Sequence, residues 1–178
     1  MEVDPKAIEK NKVYLLYIIH AFDLRMSEEQ IITVCNEFDL MSYFDIKICL
    51  ENLAAAGLLE KSESVNGIFF EINELGTTTL GFFQRELPYS DRVEIDEYAK
   101  EHRTEFFNNS RIYATYHMVS EDQFRVIMRL LEKNLPIFEI SLFAASKMEA
   151  ERFINSWREN AIDIYQTTIL NILKRKPE

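Results

Sequence analysis

Glycine and proline are scarce, four of each in 178 residues. That leaves little room for long irregular loops and predicts a chain that is mostly helix and strand. Cysteine is scarcer still. Cys35 and Cys49 are too few for a disulfide framework, fall at no metal-ligand spacing such as C-x-x-C, and fit a reducing compartment. No apolar run approaches the roughly 20 residues that cross a bilayer, the longest candidate being Val13 to Ala21. The start, Met1-Glu2-Val3-Asp4-Pro5, lacks the basic, then apolar, then small-residue order of a signal peptide. These absences predict a cytoplasmic protein without a membrane segment. Catalytic signatures are missing too: there is no Gly-rich phosphate loop, no nucleophile elbow and no H-E-x-x-H. The paired acids Glu28-Glu29 and Glu121-Asp122 sit at expected caps or turns. The chain is therefore expected to be no enzyme and to carry no cofactor or metal.

Positive charge is also in deficit, twenty Lys and Arg against thirty Asp and Glu, for a net charge of −10. Up to Ser90 the count is seven against fifteen, or −8; from Asp91 onward it is thirteen against fifteen, or −2. Because Lys and Arg supply most non-specific affinity for phosphate backbones, this balance argues against nucleic acid, and most strongly in the first half.

What is present is an ordinary globular composition, 47% hydrophobic and 28% charged, long enough for two small domains. The expected division is 1–88 and 89–178, at the linker Leu87-Pro88-Tyr89-Ser90-Asp91. A first helix, Ala7 to Leu24, is apolar almost all round from Val13 to Phe22, and so should lie between its own domain and something else. Ser27 and Gln30 form a capping box for a second helix with core positions Ile31, Ile32, Val34 and Cys35. After a turn at Phe38-Asp39-Leu40-Met41, Ser42 caps a third helix whose Ile46, Leu50 and Leu53 face the core and which Gly57 closes. Leu58 to Ser64 and Ile68 to Ile72 read as a hairpin turning at Asn66-Gly67, followed by a helix from Asn73 to Glu86. This order is that of a winged helix-turn-helix.

The second half reads as a helix from Val93 to Phe107, then three strands of period two joined by short connections. Ile112, Ala114, Tyr116 and Met118, then Phe124, Val126, Met128 and Leu130, then Phe138, Ile140 and Leu142 would share the inner face of an antiparallel meander. A last helix from Ser146 to about Lys174 carries a stripe from Ala150 and Trp157 through Tyr165, Thr168 and Ile172 to cover that sheet. Ile162, Ile169 and Leu173 make a second stripe, for the first helix or for a symmetry mate. The fold class is thus α+β: an N-terminal winged helix-turn-helix, then a small α+β domain of one helix, a three-stranded antiparallel sheet and a long C-terminal helix.

Five segments carry a family resemblance: Leu-Leu-Tyr-Ile (15–18), Ser-Tyr-Phe (42–44), Leu-x-x-Leu-x-x-x-Gly-Leu-Leu (50–59), Ile-Asn-Glu-Leu-Gly-x-x-x-Leu (72–80) and Trp-Arg-Glu-Asn-Ala-x-x-Ile-Tyr (157–165). Over nearly the whole chain the sequence resembles a little-characterised bacterial family, domain of unknown function 4364, described as winged-helix, PadR-like transcriptional regulators. The resemblance implies a winged helix followed by a small α+β domain, and brings no ligand, operator or catalytic residue.

On a winged helix the outer side of the third helix meets the major groove and the hairpin is the wing. The expected contacts with double-stranded DNA are Ser42, Tyr43, Lys47, Asn52, Lys61 and Asn66, in a homodimer. The alternative is that Lys47 and Lys61 are plain surface lysines, Lys47 paired with a neighbouring acid, and that the domain has lost DNA and binds a basic protein through its acidic face. Lys6, Lys10 and Lys12 read as a basic arm or, more simply, as a solvated first turn. His20, inside the apolar helix, is expected in the core or an interface. Arg111, Arg125 and Arg129 could line an anion-binding effector face, or be the polar side of a half-exposed sheet.

Overall fold

A helix that is apolar on almost every side needs cover on every side. In the computed structural model, which describes residues 5–64, 67–132 and 135–174, helix α1 (Pro5–Phe22) is buried continuously from Val13 to Ile19 and again at Phe22. Among those residues the chain is α+β, with six α-helices and two three-stranded antiparallel sheets. Two compact units separate between Phe107 and Asn108.

In the first unit Ser27 ends a two-residue strand, β1 (Met26–Ser27), and caps α2 (Glu28–Glu37). Its hydroxyl accepts from the Gln30 amide at 3.1 Å while the Gln30 side chain accepts from the Ser27 amide at 2.9 Å, the reciprocal box the sequence predicts. Asp39, at φ 49°, turns the chain into α3 (Tyr43–Ala55), capped by Ser42. At the far end Gly57 takes φ 72°; its amide donates to the Ala54 carbonyl and that of Leu58 to the Leu53 carbonyl, closing the helix. Strands β2 (Leu59–Ser64) and β3 (Gly67–Ile72) pair antiparallel, Leu59 opposite Ile72, and β1 adds to the other edge of β3, so the strand order is β1-β3-β2. Asn73 caps α4 (Glu74–Phe83), and a 3₁₀ turn over Gln84–Glu86 follows. Gly76 is required where it stands, because a Cβ there would lie 2.2 Å from the Leu58 carbonyl oxygen.

The expected linker is no linker. Leu87 is buried in the core of the first unit, and helix α5 (Tyr89–Arg111) begins directly after Pro88, whose carbonyl accepts from Arg92. The helix expected over Val93–Phe107 is thus longer at both ends and absorbs Asn108-Asn109-Ser110. Residues along its length supply what α1 was missing. Tyr14 donates to the Asp91 carboxylate, Tyr17 to Asp96 at 3.0 Å, and Phe22 stacks on Phe106 with centroids 4.9 Å apart. Gln30 also donates to the Phe106 carbonyl at 2.7 Å. These contacts tie residues of the expected second domain into the first core. His20 faces outward and is exposed, so of its two expected places, core or interface, the core is ruled out, since the covering elements meet α1 on its other sides.

The second unit is a meander, β4 (Ile112–Ser120), β5 (Gln123–Glu132) and β6 (Leu135–Ala144), with Ala114 opposite Met128 and Met128 opposite Ile140. Helix α6 (Lys147–Leu173), capped by Ser146, covers one face of it. Trp157, 1% exposed, is the centre of that layer and stacks on Phe138 at 6.2 Å. The inner-face assignment holds for most strand positions, but Met118 and Leu142 are exposed. Ile172 is exposed too, although its spacing puts it on the core stripe. A helix of 27 residues is about 40 Å long, whereas strands of nine or ten residues reach about 30–34 Å. The core stripe accordingly ends at Tyr165, and the turns after it leave Ile169, Leu170, Ile172 and Leu173 exposed.

Candidate functional site

Helix α3 is two-sided because one row of apolar residues at helical spacing packs into the core and the other side stays open. Ile46, Cys49, Leu50 and Leu53 are buried, while Tyr43, Phe44, Ile48, Glu51 and Asn52 are exposed. Phe44, 75% exposed, meets the Tyr43 ring edge-on with centroids 5.7 Å apart. Exposed aromatic and aliphatic side chains of this size on one short helix form an apolar strip of the kind that marks interaction surfaces.

The structure brings four of the six expected contact residues onto this side, Ser42, Tyr43, Lys47 and Asn52, and sets Lys61 beside them. Ser42 is occupied as a cap: its hydroxyl accepts from the Asp45 amide at 3.2 Å and donates to the Asp45 carboxylate at 2.7 Å. Lys47 reaches the Glu28 carboxylate at the start of α2, 2.8 Å away, and lies over the Tyr43 ring at 5.9 Å. The hydrogen bond to Glu28 raises the Lys47 pKa, so the ammonium is held charged. Lys61, on β2, pairs with Glu51 of α3 at 2.6 Å. Asn66 lies outside the described residues. Both lysines that would meet phosphate are thus already matched by carboxylates, from partners nineteen and ten positions away in the chain. Phe44 and Glu28 were missing from the expected set. Phe44 was detectable as an aromatic lying off the Ile46–Leu50–Leu53 stripe, whereas the reach of Lys47 to Glu28 depends on how α2 and α3 pack.

Lys10 and Lys12, near the start of α1, have partners as well. Lys12 pairs with Glu9 at 2.9 Å, Lys10 lies over the Tyr14 ring at 5.3 Å, and the Lys6 side chain is outside the described residues. In the second unit Arg125 and Arg129 share the outer face of β5. Arg129 pairs with Glu139 at 2.6 Å and Arg125 lies over Phe143 at 4.8 Å. Arg111 donates to the Leu131 carbonyl at 3.0 Å.

Among the described residues no three His, Cys, Asp or Glu side chains converge as a metal ion would require. Burial pushes the Cys35 thiol up to about 12, so it is not a ready nucleophile. Among the described residues no helix is long and apolar enough to cross a membrane.

The model of one protein family matches residues 11–173, nearly the whole chain, and the chain belongs to that family, described as a domain of unknown function, DUF4364. No curated protein and no solved structure matches it significantly.

Proposed function

We propose that this member of the DUF4364 family is a winged helix-turn-helix transcriptional regulator of the cytoplasm that binds double-stranded DNA as a homodimer. The succession α1, β1, α2, α3, β2, β3 with strand order β1-β3-β2 supports the winged-helix reading, and the single observation that carries the function is α3, packed on one side and open on the other. In this reading α3 enters the major groove, the β2–β3 hairpin is the wing, and the two half-sites lie about one helical turn, roughly 34 Å, apart. The ion pairs of Lys47 and Lys61 weaken this contact without abolishing it, since a phosphate can compete with Glu28 and Glu51 for each ammonium. The second unit serves dimerisation or effector sensing, with Arg125 and Arg129 on its open sheet face.

Fluorescence anisotropy with random duplex DNA tests the proposal. Binding at ~50 mM salt that weakens steeply as salt rises is expected, and Lys47→Glu and Lys61→Glu should each reduce it. No binding at low salt, or two variants that bind as the parent does, would sink it.

A second reading, favoured by Tyr43, Phe44 and Ile48 standing exposed among Asp45, Glu51 and Glu28, is that the same face of α3 docks a basic protein. It supposes that the winged helix has lost DNA. A DNA affinity that is absent at every salt concentration, with the fold intact, is its signature.

A further inference from the structure

Helix α6 outruns the sheet beneath it, so its last turns carry apolar residues that their own unit does not cover. Ile162, Ile169, Leu170 and Leu173 recur at i, i+7, i+8 and i+11, on the side turned away from the buried Trp157 and Ala161. Ile162 is half-buried, while Leu170 is 62% and Leu173 71% exposed. Between Asp163 and Lys174 this stretch holds no Asp, Glu, Lys, Arg or His, and one turn before it Arg158 and Glu159 are of opposite sign and cancel. Asp163 and Lys174 stand eleven residues apart, about three helical turns, and therefore share one edge of the stripe. Among the described residues neither pairs with an opposite charge; Lys174 reaches only its neighbour Asn171, at 3.4 Å.

We infer that this end of α6 is the interface with a second copy of the chain, the two helices lying antiparallel across a two-fold axis. Such a contact sets each edge of the stripe against the same edge of its copy, run in the opposite direction. Asp163 of each copy then faces Lys174 of the other, so both charges find a partner while the leucines meet between them. A parallel pair would instead oppose Asp163 to Asp163 and Lys174 to Lys174. The charge of the whole molecule favours the same place. The first unit is strongly acidic, but from Asn108 onward ten Lys and Arg stand against nine Asp and Glu, so two copies repel least through the second unit. Helix α1, the other element this stripe could serve by its spacing, is excluded because Val13 to Ile19 are covered within their own unit. The inference rests on the homodimer of the proposed function and supplies its surface.

Sedimentation equilibrium of the full chain tests it, and the parent is expected to be a dimer. Leu170→Asp with Leu173→Asp should weaken that dimer by about 30-fold or more, as loss of central apolar anchors does, with unchanged circular dichroism and Trp157 fluorescence because both leucines are exposed. Asp163→Lys and Lys174→Asp should each weaken it by about 5-fold, and the two reversals together should restore it, which a parallel pair does not do. Phe82→Asp, on the exposed side of α4, is the comparator and should leave the dimer intact. A dimer that ignores the leucine variant or the single reversals, fails to recover in the double reversal, or is lost in Phe82→Asp would overturn the inference and leave the homodimer standing. A monomeric parent would overturn both, and a monomer that pellets with anionic vesicles through the same leucines would assign the stripe to a lipid surface instead.

Discussion

The two compact units have the same number of basic residues and very different charge. Up to Phe107 there are ten Lys and Arg against twenty-one Asp and Glu, or −11; from Asn108 onward there are ten against nine, or +1. Their cores differ as well. The first wraps α1 with helices and a small sheet until Val13 to Ile19 are covered, whereas the second is one helix laid on one face of a meander. A wrapped core leaves only its surface for function, and that surface is acidic except where lysines are clasped. The thinner unit keeps much apolar surface in the open, at Phe143, Leu170 and Leu173 among others.

This contrast is broken most directly by deleting the central aromatic of each core. Phe22→Ala and Trp157→Ala should each cost about 3–5 kcal/mol, but in different units. Trp157 is the only tryptophan, so its fluorescence follows the second unit while circular dichroism follows both. Phe22→Ala is expected to leave the fluorescence midpoint in urea unchanged and lower part of the dichroism transition. One coincident transition, shifted alike by Phe22→Ala in both signals, would show that the units are not independent.

A next, smaller effect concerns how α5 is held to α1. Burial, aided by the hydrogen bond to Asp96, raises the Tyr17 pKa from its ordinary value of 10.0 to about 12. A phenol whose folded pKa is raised contributes stability that is complete below pH 10 and is lost as the pH climbs through about 12. Tyr14, hydrogen-bonded to Asp91, shifts in the same direction. Tyr17→Phe should therefore cost about 1.5–3 kcal/mol at neutral pH, the range for a hydrogen bond to a charged group, and should lose less stability than the parent between pH 10 and 12. Parallel alkaline profiles for the two proteins would remove this account of the α1–α5 contact.

The gentlest test uses two glycines of one helix. Gly76→Ala drives a Cβ to 2.2 Å from a backbone oxygen that cannot swing aside, and overpacking of this kind costs about 1–3 kcal/mol. Gly81, with open space where its Cβ would be, should on changing to Ala gain about 0.5–1 kcal/mol. Thermal melts of both variants check the signs, and equal shifts in one direction would contradict the packing of α4 on Leu58.

Much of this fold is legible because its signals are local. The caps at Ser27, Ser42 and Ser146, the closing Gly57 and the period of the three strands each sit within a few residues of the element they specify. What was not legible depends on long-range packing. Leu87-Pro88 reads as a break, yet proline is well tolerated where a helix begins, and α5 starts there and returns its first turns to α1. The end of the α6 core stripe depends on the length of the strands beneath it. At the candidate site the outer residues of α3 were readable from spacing alone. Their state was not, since Lys47 and Lys61 are matched by acids that only the packing of α2, α3 and the hairpin brings near.

Those two pairs also offer the most direct measurement. If α3 and the hairpin meet DNA with lysines held back by carboxylates, a Glu28→Gln, Glu51→Gln protein should bind random duplex more tightly than the parent. Its affinity should also fall more steeply with salt, because two lysines are released to phosphate. Affinity and salt slope that stay at the parent's values, or a double variant that still ignores DNA at low salt, would contradict the claim that this face reads DNA.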